Sequence, residues 1–314
     1  MKKVAFIFPG QGSQAVGMGQ AMYDTFPEVK ETFDKADDTL GISLTDLMFN
    51  GPNEELTNTE NAQPALLLTS ASINALLNKQ GIYPVMTAGH SLGEYSALVA
   101  AGSLSIEEAL PLVRKRGQLM EQAYPKGKGA MAAVLGMKQD EMEAVLSELD
   151  LKEEVVDIAN LNCPGQIVIS GTKQGVELAS THLKDNGAKK VIPLNVSGPF
   201  HSSLMRPAAE QFTGELHNVT ISNADIPVFA NVTAQSVTDK EKIVELLVEQ
   251  LYSPVRFEET IENMLKENVD AIVEIGNGKV LTGLVKKVNR RTKTFTIQDP
   301  DSLQTFIEWY KEES

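Results

Sequence analysis

The chain has 314 residues, of which 42% are hydrophobic and 22% are charged, a composition typical of a globular protein rather than a disordered one. Its 28 Lys and Arg residues against 42 Asp and Glu residues give a net charge of −14, which opposes nonspecific attraction to nucleic acid or to an anionic membrane, so neither partner is expected. The single cysteine excludes an intramolecular disulfide and CxxC metal sites.

Nothing in the chain is typical of export or of membrane spanning. The apolar run "VAFIF" near the N-terminus is interrupted by Pro9 and Gly10 before it reaches the roughly 7 to 15 residues of a signal-peptide core. No uninterrupted apolar span approaches the roughly 20 residues that a transmembrane helix needs. These features predict a cytoplasmic protein.

Short apolar segments alternate with helical patterns along most of the chain. "VAFIF" precedes a helix through Phe33, and "PVMTAG" precedes the helix "LGEYSALVAAG". Later, "IPVFANV", "DAIVEIG" and "KTFTIQ" each precede a helix, the last of which, "SLQTFIEWYKEE", covers residues 302–313. Strands that are apolar almost throughout, each followed by a helix, predict a parallel sheet covered on both faces. The fold class is therefore α/β.

The middle of the chain has a different order of elements. Residues 127–197 contain the strand "AMAAVLG", a helix, the strands "VVDIANLN" and "IVISG", a second helix and the strand "KKVIPLNV". The order βαββαβ is that of the ferredoxin-like unit. We expect residues 127–197 to form a small domain inserted into a catalytic core of residues 1–126 and 198–314, with "YPKGKG" and "SGP" as hinges.

The stretch "GHSLG", residues 89–93, matches the G-x-S-x-G pattern of a nucleophile elbow and has the required strand, turn and helix around it. Glycines suit this turn because side chains beside a strained serine would collide with the neighbouring strand and helix. The pattern predicts Ser91 as a nucleophile, with the Leu92 N–H at the start of the helix as an oxyanion donor. The alternative is that Ser91 only caps the helix.

A serine nucleophile needs a general base, and the chain has four histidines. His90 directly precedes Ser91, so its side chain should leave the turn in another direction. His182 and His217 fall within or at the end of predicted helices, where surface positions are expected. His201 lies in the loop "SGPFHSSLM", where accessibility suits a catalytic group, and is the best candidate.

A complete triad would add an acidic residue on a late strand to orient the histidine. Glu274 in "VEIG" and Asp225 before "IPVF" are candidates by position only. The residues themselves leave the third member of the triad open.

A second glycine-rich stretch supports a rival interpretation. "FPGQGSQAVGMG" follows the first strand, and Gly10, Gly12 and Ala15 satisfy the G-x-G-x-x-G/A pattern of dinucleotide-binding folds. That fold also needs an acidic residue at the end of a second strand about 20 residues later, but the candidates Asp34 and Asp37 lie in a helical pattern. The loop is better explained as exposed backbone near the serine, with Gln11 as a polar contact or a second oxyanion donor.

Six motifs together resemble the malonyl-CoA:acyl carrier protein transacylases of bacterial type II fatty acid synthesis. They occur in order from Val4 to about Leu284, and they are "FPGQGSQ", "GHSLGEYSAL", "RGQLM", "FHSSLMRPAAE", "VEQLYSPVRF" and "EIGNGKVLTGL". The resemblance implies a hydrolase-like core with a ferredoxin-like insertion, in agreement with the pattern of elements.

The resemblance also implies roles for particular residues. It makes Ser91 the nucleophile and His201 the base, and it implies that the main-chain carbonyl of Gln250 orients the histidine in place of an acid. The backbone N–H groups of Gln11 and Leu92 would form the oxyanion hole.

Two further residues concern the choice of substrate. The resemblance implies that Arg116 binds the substrate carboxylate, which suits the planar guanidinium. Taken alone, Arg116 in "VRKRGQLM" is equally consistent with an exposed helical arginine. Phe200, directly before His201, resembles the malonyl-type variant of that loop rather than the methylmalonyl type.

The expected activity is a ping-pong transfer from malonyl-CoA through a malonyl-serine to the phosphopantetheine thiol of acyl carrier protein, without a metal or a bound cofactor. Because carrier proteins are typically acidic, docking would require local basic clusters. The candidates are Lys189, Lys190, Lys286, Lys287, Arg290 and Arg291.

Three alternatives remain at this stage. A serine esterase or thioesterase of the α/β-hydrolase type would share the elbow but would release the acyl group to water. A non-enzymatic acyl-binding subunit would be expected to lack Ser91 or His201, and both are present. Malonyl transfer could also serve polyketide synthesis.

Overall fold

A computed structural model of the chain describes residues 2–312, so Met1, Glu313 and Ser314 lie outside the described residues. The predicted core begins at residue 1 and ends at residue 314, and the predicted last helix ends at Glu313; those end points therefore lie outside this range. Within residues 2–312 the strands form two sheets. The strands are β1 (Val4–Phe8), β2 (Met86–Gly89), β3 (Gly129–Leu135), β4 (Val156–Cys163), β5 (Gln166–Thr172), β6 (Lys190–Pro193), β7 (Val228–Phe229), β8 (Ser236–Val237), β9 (Val255–Arg256), β10 (Ala271–Ile275) and β11 (Thr294–Ile297).

The helices of the same residues pack around and between these sheets, and one 3-10 turn covers Ser203–Met205. The α-helices are α1 (Gln20–Thr25), α2 (Pro27–Leu40), α3 (Leu44–Asn50), α4 (Asn53–Thr57), α5 (Thr59–Lys79), α6 (Gly93–Ala100), α7 (Ile106–Gln122), α8 (Gln139–Ser147), α9 (Lys173–Asp185), α10 (Arg206–His217), α11 (Lys240–Gln250), α12 (Phe257–Leu265), α13 (Val280–Val288) and α14 (Pro300–Lys311).

The larger sheet has the order β11-β10-β1-β2-β7-β8. Adjacent strands of this sheet run parallel, except that β8 pairs with β7 in the antiparallel direction. Every residue of β1 is buried, as expected of a central parallel strand covered on both faces. The predicted α/β class is confirmed, whereas the antiparallel edge strand β8 has no apolar run and was not predicted.

The smaller sheet has the order β6-β3-β5-β4-β9. Strands β3 to β6 pair in the antiparallel direction, and helices α8 and α9 connect them, so the observed order of elements is βαββαβ. This unit has its own apolar cluster, drawn from residues 130–191. The fifth strand, β9, lies outside residues 127–197 and pairs in parallel with β4. The smaller sheet is therefore completed by a strand from the later part of the chain.

Helix α5 is the main element that the pattern of the sequence did not indicate. It is buried on nearly every side between α7, α6 and the larger sheet, so its apolar residues show no helical periodicity. None of the helices within residues 2–312 combines the length and the apolar composition that crossing a membrane requires.

The glycines around the first turn of α6 provide a test of this packing. A Cβ atom on Gly93 would lie 2.0 Å from the carbonyl oxygen of Phe8, whereas one on Gly283 of α13 would meet no atom within 4 Å. We expect Gly93→Ala to lower the free energy of unfolding by about 2–3 kcal/mol, because the backbone of β1 or α6 must shift. Gly283→Ala, the matched control, should raise it by about 0.5–1 kcal/mol. Chemical denaturation of both variants measures the difference, and equal stabilities would contradict the close approach of α6 to β1.

Candidate active site

Ser91 lies at the sharp turn between β2 and α6. Its φ of 51° is in the left-handed region, which is unusual for a residue with a side chain. A Cβ atom on Gly89 would lie 1.9 Å from the backbone carbonyl carbon of Gly93, so a side chain at this flank would collide with α6. Gly89 and Gly93 thus allow α6 to pack directly on the larger sheet. Ser91 itself lines an open cleft. Helix α6 begins at Gly93, one residue after the predicted start.

His201 lies within hydrogen-bond distance of Ser91 although 110 residues separate them in the chain. The Ser91 Oγ and His201 Nε2 atoms are 2.7 Å apart, and His201 Nδ1 lies 2.8 Å from the main-chain oxygen of Gln250 at the end of α11. Since a carbonyl can only accept, Nδ1 carries the proton and Nε2 is left as the acceptor for the Ser91 hydroxyl. Burial and the nearby Arg116 charge lower the pKa of His201 to about 3, so the imidazole is neutral at ordinary pH.

The two acidic residues considered as a third triad member lie elsewhere. Glu274 of β10 accepts hydrogen bonds from the N–H groups of Leu281 and Thr282 and so holds the start of α13. Asp225 lies beside Gly102, at the end of the turn that follows α6. The group that orients His201 in this structure is the Gln250 carbonyl.

The other three histidines do not contact Ser91. His90 turns away from the elbow, and its Nε2 atom lies 2.8 Å from the Asn162 Oδ1 atom of β4 while its ring packs against Phe257. His182 on α9 and His217 at the end of α10 are exposed. Among the histidines of the chain, all of which the structure describes, only His201 is in position to take a proton from Ser91.

Arg116 is buried, with 1% of its surface exposed, so it is not an exposed helical arginine. Its guanidinium extends from α7 to the elbow, where NH2 donates to Ser91 Oγ at 3.1 Å and to Gln250 Oε1 at 2.8 Å, and NH1 donates to Gln63 Oε1 at 2.7 Å. The Tyr95 ring lies 5.3 Å from the guanidinium carbon. Among the described residues, Nε has no hydrogen-bond partner. A buried cation therefore stands beside the nucleophile with only neutral oxygens as direct partners.

A buried carboxylate lies behind these groups. Glu94 Oε2 accepts from Gln250 Nε2 at 2.7 Å and from the Asn231 N–H at 3.0 Å. Burial raises the pKa of Glu94 to about 7, although the hydrogen bonds and the Arg116 charge oppose this shift. Glu94 is thus no triad acid, but it accepts a hydrogen bond from the same Gln250 side chain that accepts one from Arg116.

The cleft in front of Ser91 has a volume of about 300 Å³. Apolar side chains from α7, from the smaller sheet and from the segment after β6 line it, together with the polar groups of the elbow. Within residues 2–312, no acceptor bonds to the backbone N–H of Gln11 or of Leu92, and both residues lie next to the cleft. The lining residues include Gln11, His90, Ser91, Met131, Leu194, Phe200 and His201.

The glycine-rich loop after β1 does not form a dinucleotide-binding turn. Helix α1 begins only at Gln20, five residues beyond Ala15, so the loop does not pass directly into a helix. Asp34 and Asp37 lie within α2, and no strand precedes them after β1. The loop instead brings Gln11 to the cleft.

The two predicted basic clusters lie at the same end of the smaller sheet. Lys189 packs against Gly136, Gly136 bonds to Gly165, and the neighbouring Gln166 accepts from Lys287 Nζ at 3.1 Å. All six basic residues, Lys189, Lys190, Lys286, Lys287, Arg290 and Arg291, are exposed. Contacts thus connect the two clusters, which are about 100 residues apart in the sequence.

Sequence reasoning did not find Gln63 and Asn231, which bind Arg116 and the elbow. Gln63 lies in α5, the helix without periodicity, and Asn231 follows the two-residue strand β7. Neither has a motif of its own, because each is placed only by long-range packing. Among the residues described, no group of three or more His, Cys, Asp or Glu side chains is arranged to hold a metal ion.

Comparisons with known proteins show the family of the chain. The model of the acyl transferase domain family matches residues 5–299. The malonyl CoA-acyl carrier protein transacylase of Bacillus subtilis (strain 168) is 56% identical over 314 residues, which covers 100% of this chain and 99% of that protein.

Two solved structures are similar over nearly the whole chain. The acyl carrier protein S-malonyltransferase of Vibrio cholerae is 43% identical with a TM-score of 0.94, covering 97% of this chain and 99% of that one. A malonyl-transacylase in complex with its type II PKS acyl-carrier protein is 41% identical with a TM-score of 0.95, covering 98% and 99%. The chain therefore belongs to the acyl transferase family and, within it, to the malonyl CoA-acyl carrier protein transacylases.

Proposed function

We propose that this enzyme transfers a malonyl group from coenzyme A to the phosphopantetheine thiol of acyl carrier protein. One observation carries the proposal: the Ser91 hydroxyl lies between a neutral imidazole at 2.7 Å and a buried guanidinium at 3.1 Å. An acyl group attached to Ser91 must therefore lie beside a cation that lacks a direct anionic partner. A short acyl chain that ends in a carboxylate suits this position.

The transfer proceeds in two balanced half-reactions. His201 Nε2 takes the Ser91 proton while Oγ attacks the thioester carbon, and the carbon–sulfur bond then breaks as His201 returns the proton to the coenzyme A sulfur. In the second half, the carrier thiol gives its proton to His201 and attacks the malonyl ester, and Ser91 regains the proton. The Gln11 and Leu92 N–H groups would stabilise the oxyanion in both halves, and Arg116 would bind the malonyl carboxylate. No step calls for a metal or a bound cofactor.

Fatty acid elongation is the proposed use of the product. A serine esterase or thioesterase is less well supported, because a carbonyl rather than a carboxylate orients His201 and because a buried guanidinium, that of Arg116, donates to the nucleophile. Polyketide synthesis remains the second destination for the same chemistry, since one similar structure is a complex with a type II PKS carrier. A cytoplasmic location remains a prediction from the sequence.

We further propose that residues 127–197 are an inserted ferredoxin-like domain and that the remainder is a hydrolase-like core. The antiparallel order β6-β3-β5-β4 corresponds to 4-1-3-2 in that unit, which supports the proposal, as does its separate apolar cluster. The cleft lies at the junction, since Met131 and Leu194 of the smaller unit line it opposite Ser91.

The direct test is intact-mass analysis. The enzyme is mixed with malonyl-CoA, its mass is recorded, and the phosphopantetheinylated carrier is then added. We expect a malonyl adduct that is absent in Ser91→Ala and that moves to the carrier. If no adduct forms, or if the adduct decays equally fast without carrier, malonyl transfer is refuted.

The low pKa of His201 predicts how loading depends on pH. A base with a folded-state pKa of about 3 remains neutral above about pH 4, so the second-order rate of malonyl loading should not fall as the pH drops from 8 to 5.5. Rapid-quench labelling measures this rate in the wild type and in Glu94→Gln. If the loading rate decreases near pH 7 in the wild type but not in Glu94→Gln, protonation of Glu94 causes the decrease. A loading rate that decreases near pH 6.5 in both proteins would contradict the low pKa of His201.

The position of the basic clusters predicts a carrier-binding surface. Lys190 begins β6 and precedes the cleft residue Leu194 by four residues, so at about 3.3 Å per residue Lys190 lies about 13 Å from the cleft. Charge reversal by Lys286→Glu with Lys287→Glu should raise the KM for the carrier about tenfold at low salt. Malonyl-CoA loading should persist, and Lys30→Glu with Lys35→Glu, two exposed lysines of α2, is the control with the same change in net charge. Unchanged carrier kinetics would reject this surface.

A further inference from the structure

Asn231 is fully buried two residues after the end of β7, and hydrogen bonds occupy all of its polar groups. Its side-chain oxygen accepts from the Ser91 N–H at 2.7 Å, and its side-chain nitrogen donates to the Gly89 carbonyl at 2.6 Å. Its backbone N–H donates to Glu94, and its backbone carbonyl accepts from the Arg256 N–H at 3.0 Å. The carboxamide thus binds the main chain on both sides of His90, at the elbow itself.

These contacts extend the hydrogen bonding between β2 and the segment after β7 beyond the last paired residues of the two strands. The parallel pairing of β2 with β7 stops at Ala88 and Phe229. Past that point the Asn231 side chain supplies the donor and the acceptor that a neighbouring strand would supply. The elbow needs such support because a residue with a side chain in the left-handed region costs about 1–2 kcal/mol, and Ser91 has a φ of 51°.

The same carboxylate holds both halves of the dyad. Glu94 Oε2 accepts from the Asn231 backbone and from the Gln250 side chain. Asn231 holds the Ser91 backbone, and the Gln250 carbonyl accepts from His201. The nucleophile and the base, which come from distant parts of the chain, therefore share one buried anchor on α6.

We propose that Asn231 is a positioning residue for the acyl transfer, that its carboxamide clamps the nucleophile elbow, and that Glu94 anchors this clamp together with Gln250. Neither residue touches the reacting atoms. Their contribution is the placement of Ser91 Oγ relative to His201 Nε2, and a misplacement of about 1 Å can reduce the rate about 100-fold. This inference rests on the proposed malonyl transfer, so its test includes a readout that does not depend on malonyl.

Asn231→Ala removes both bonds of the clamp but leaves Arg116 and the cleft unchanged. We expect the single-turnover rate of malonyl loading per active site to fall about 30- to 100-fold, while the half-saturating concentration of malonyl-CoA stays within about threefold. Active sites are counted from the final amount of malonyl-Ser91. Reaction with phenylmethylsulfonyl fluoride, in which Ser91 displaces fluoride from sulfur and His201 takes the proton, should slow by the same factor. A purely structural role would lower the number of active sites and leave both rates per site unchanged.

Two further comparisons keep the test decisive if Asn231→Ala folds poorly. Asn231→Asp retains the acceptor for Ser91 but loses the donor to Gly89, so its loading rate should fall about tenfold. Glu94→Gln retains an acceptor for both N–H groups and should stay within about threefold of the wild type, whereas Glu94→Ala should be slowed about 10- to 30-fold.

The matched control is Asn263→Ala on α12. Asn263 also donates its side-chain N–H to a main-chain carbonyl, that of Ala234 at 2.8 Å, but it contacts neither Ser91 nor Gln250. The Asn263→Ala variant should load malonyl and react with the sulfonyl fluoride at the wild-type rates per active site. Wild-type rates per site in both Asn231→Ala and Asn231→Asp would overturn the clamp. If the wild type reacts with the sulfonyl fluoride but not with malonyl-CoA, the proposed function fails while the clamp remains measurable.

Discussion

His201→Ala is expected to slow the acylation of Ser91 by malonyl-CoA about 10³-fold or more. The imidazole is the only described base within hydrogen-bond distance of the Ser91 hydroxyl, and general-base catalysis contributes about 10²- to 10⁴-fold. Arg116 remains beside Ser91 in this variant, so substrate affinity should change little. Rapid-quench labelling with malonyl-CoA measures the loss directly.

The control for this variant is His182→Ala, which removes an exposed histidine from α9. It should load at the wild-type rate. A His201→Ala enzyme that loads within about tenfold of the wild type would show that another group takes the proton, since general-base catalysis rarely contributes so little.

The neutral partner of His201 suits a thioester substrate. In a Ser-His-Asp triad the carboxylate stabilises the imidazolium that forms during attack. Here a carbonyl accepts from Nδ1, and the nearby Arg116 charge disfavours the imidazolium further. Such a histidine holds the proton weakly and returns it readily to the leaving group. Because a thiol has a pKa near 8.5, a thiolate leaves more easily than an alkoxide or an amine and needs little help from an acid.

Much of the elbow and of the fold could be predicted because their signals are local. The alternation of apolar strands and helices indicated the α/β class, and G-x-S-x-G indicated the turn at Ser91. Gly89 is required by a contact within the strand–turn–helix unit and Gly93 by the close approach of α6 to β1, so the five-residue motif alone indicates this turn. The residues alone also favoured His201, since the other histidines had ordinary positions.

The surroundings of Arg116 could not be predicted from the residues alone. An arginine in the middle of a charged helical stretch is usually exposed, and its burial depends on α5, whose periodicity is hidden because both of its faces are buried. The amides that hold it, Gln63 and Gln250, lie 53 residues before it and 134 residues after it. Only the resemblance to a family indicated its role.

Replacement of Arg116 therefore has the second large expected effect, and this effect should be selective. Arg116→Ala should lower kcat/KM for malonyl-CoA about 10²- to 10³-fold, because two charge-assisted hydrogen bonds to a buried carboxylate contribute about 3–4 kcal/mol. Activity with acetyl-CoA should stay constant or rise, because acetyl leaves the buried cation unpaired in the wild type and the variant has no such cation. Arg116→Lys should be intermediate, since it keeps the charge but loses the planar fork.

Lys115→Ala is the matched control on the same helix, because Lys115 faces outward and pairs with Glu215 at 3.8 Å. It should leave both substrates unaffected. The decisive quantity is the ratio of kcat/KM for malonyl-CoA to that for acetyl-CoA. If Arg116→Ala lowered both values equally, the arginine would act on Ser91 itself through its 3.1 Å contact rather than on the carboxylate, and selectivity would have to come from other groups in the cleft. A ratio that falls at least 100-fold assigns the malonyl preference to the guanidinium.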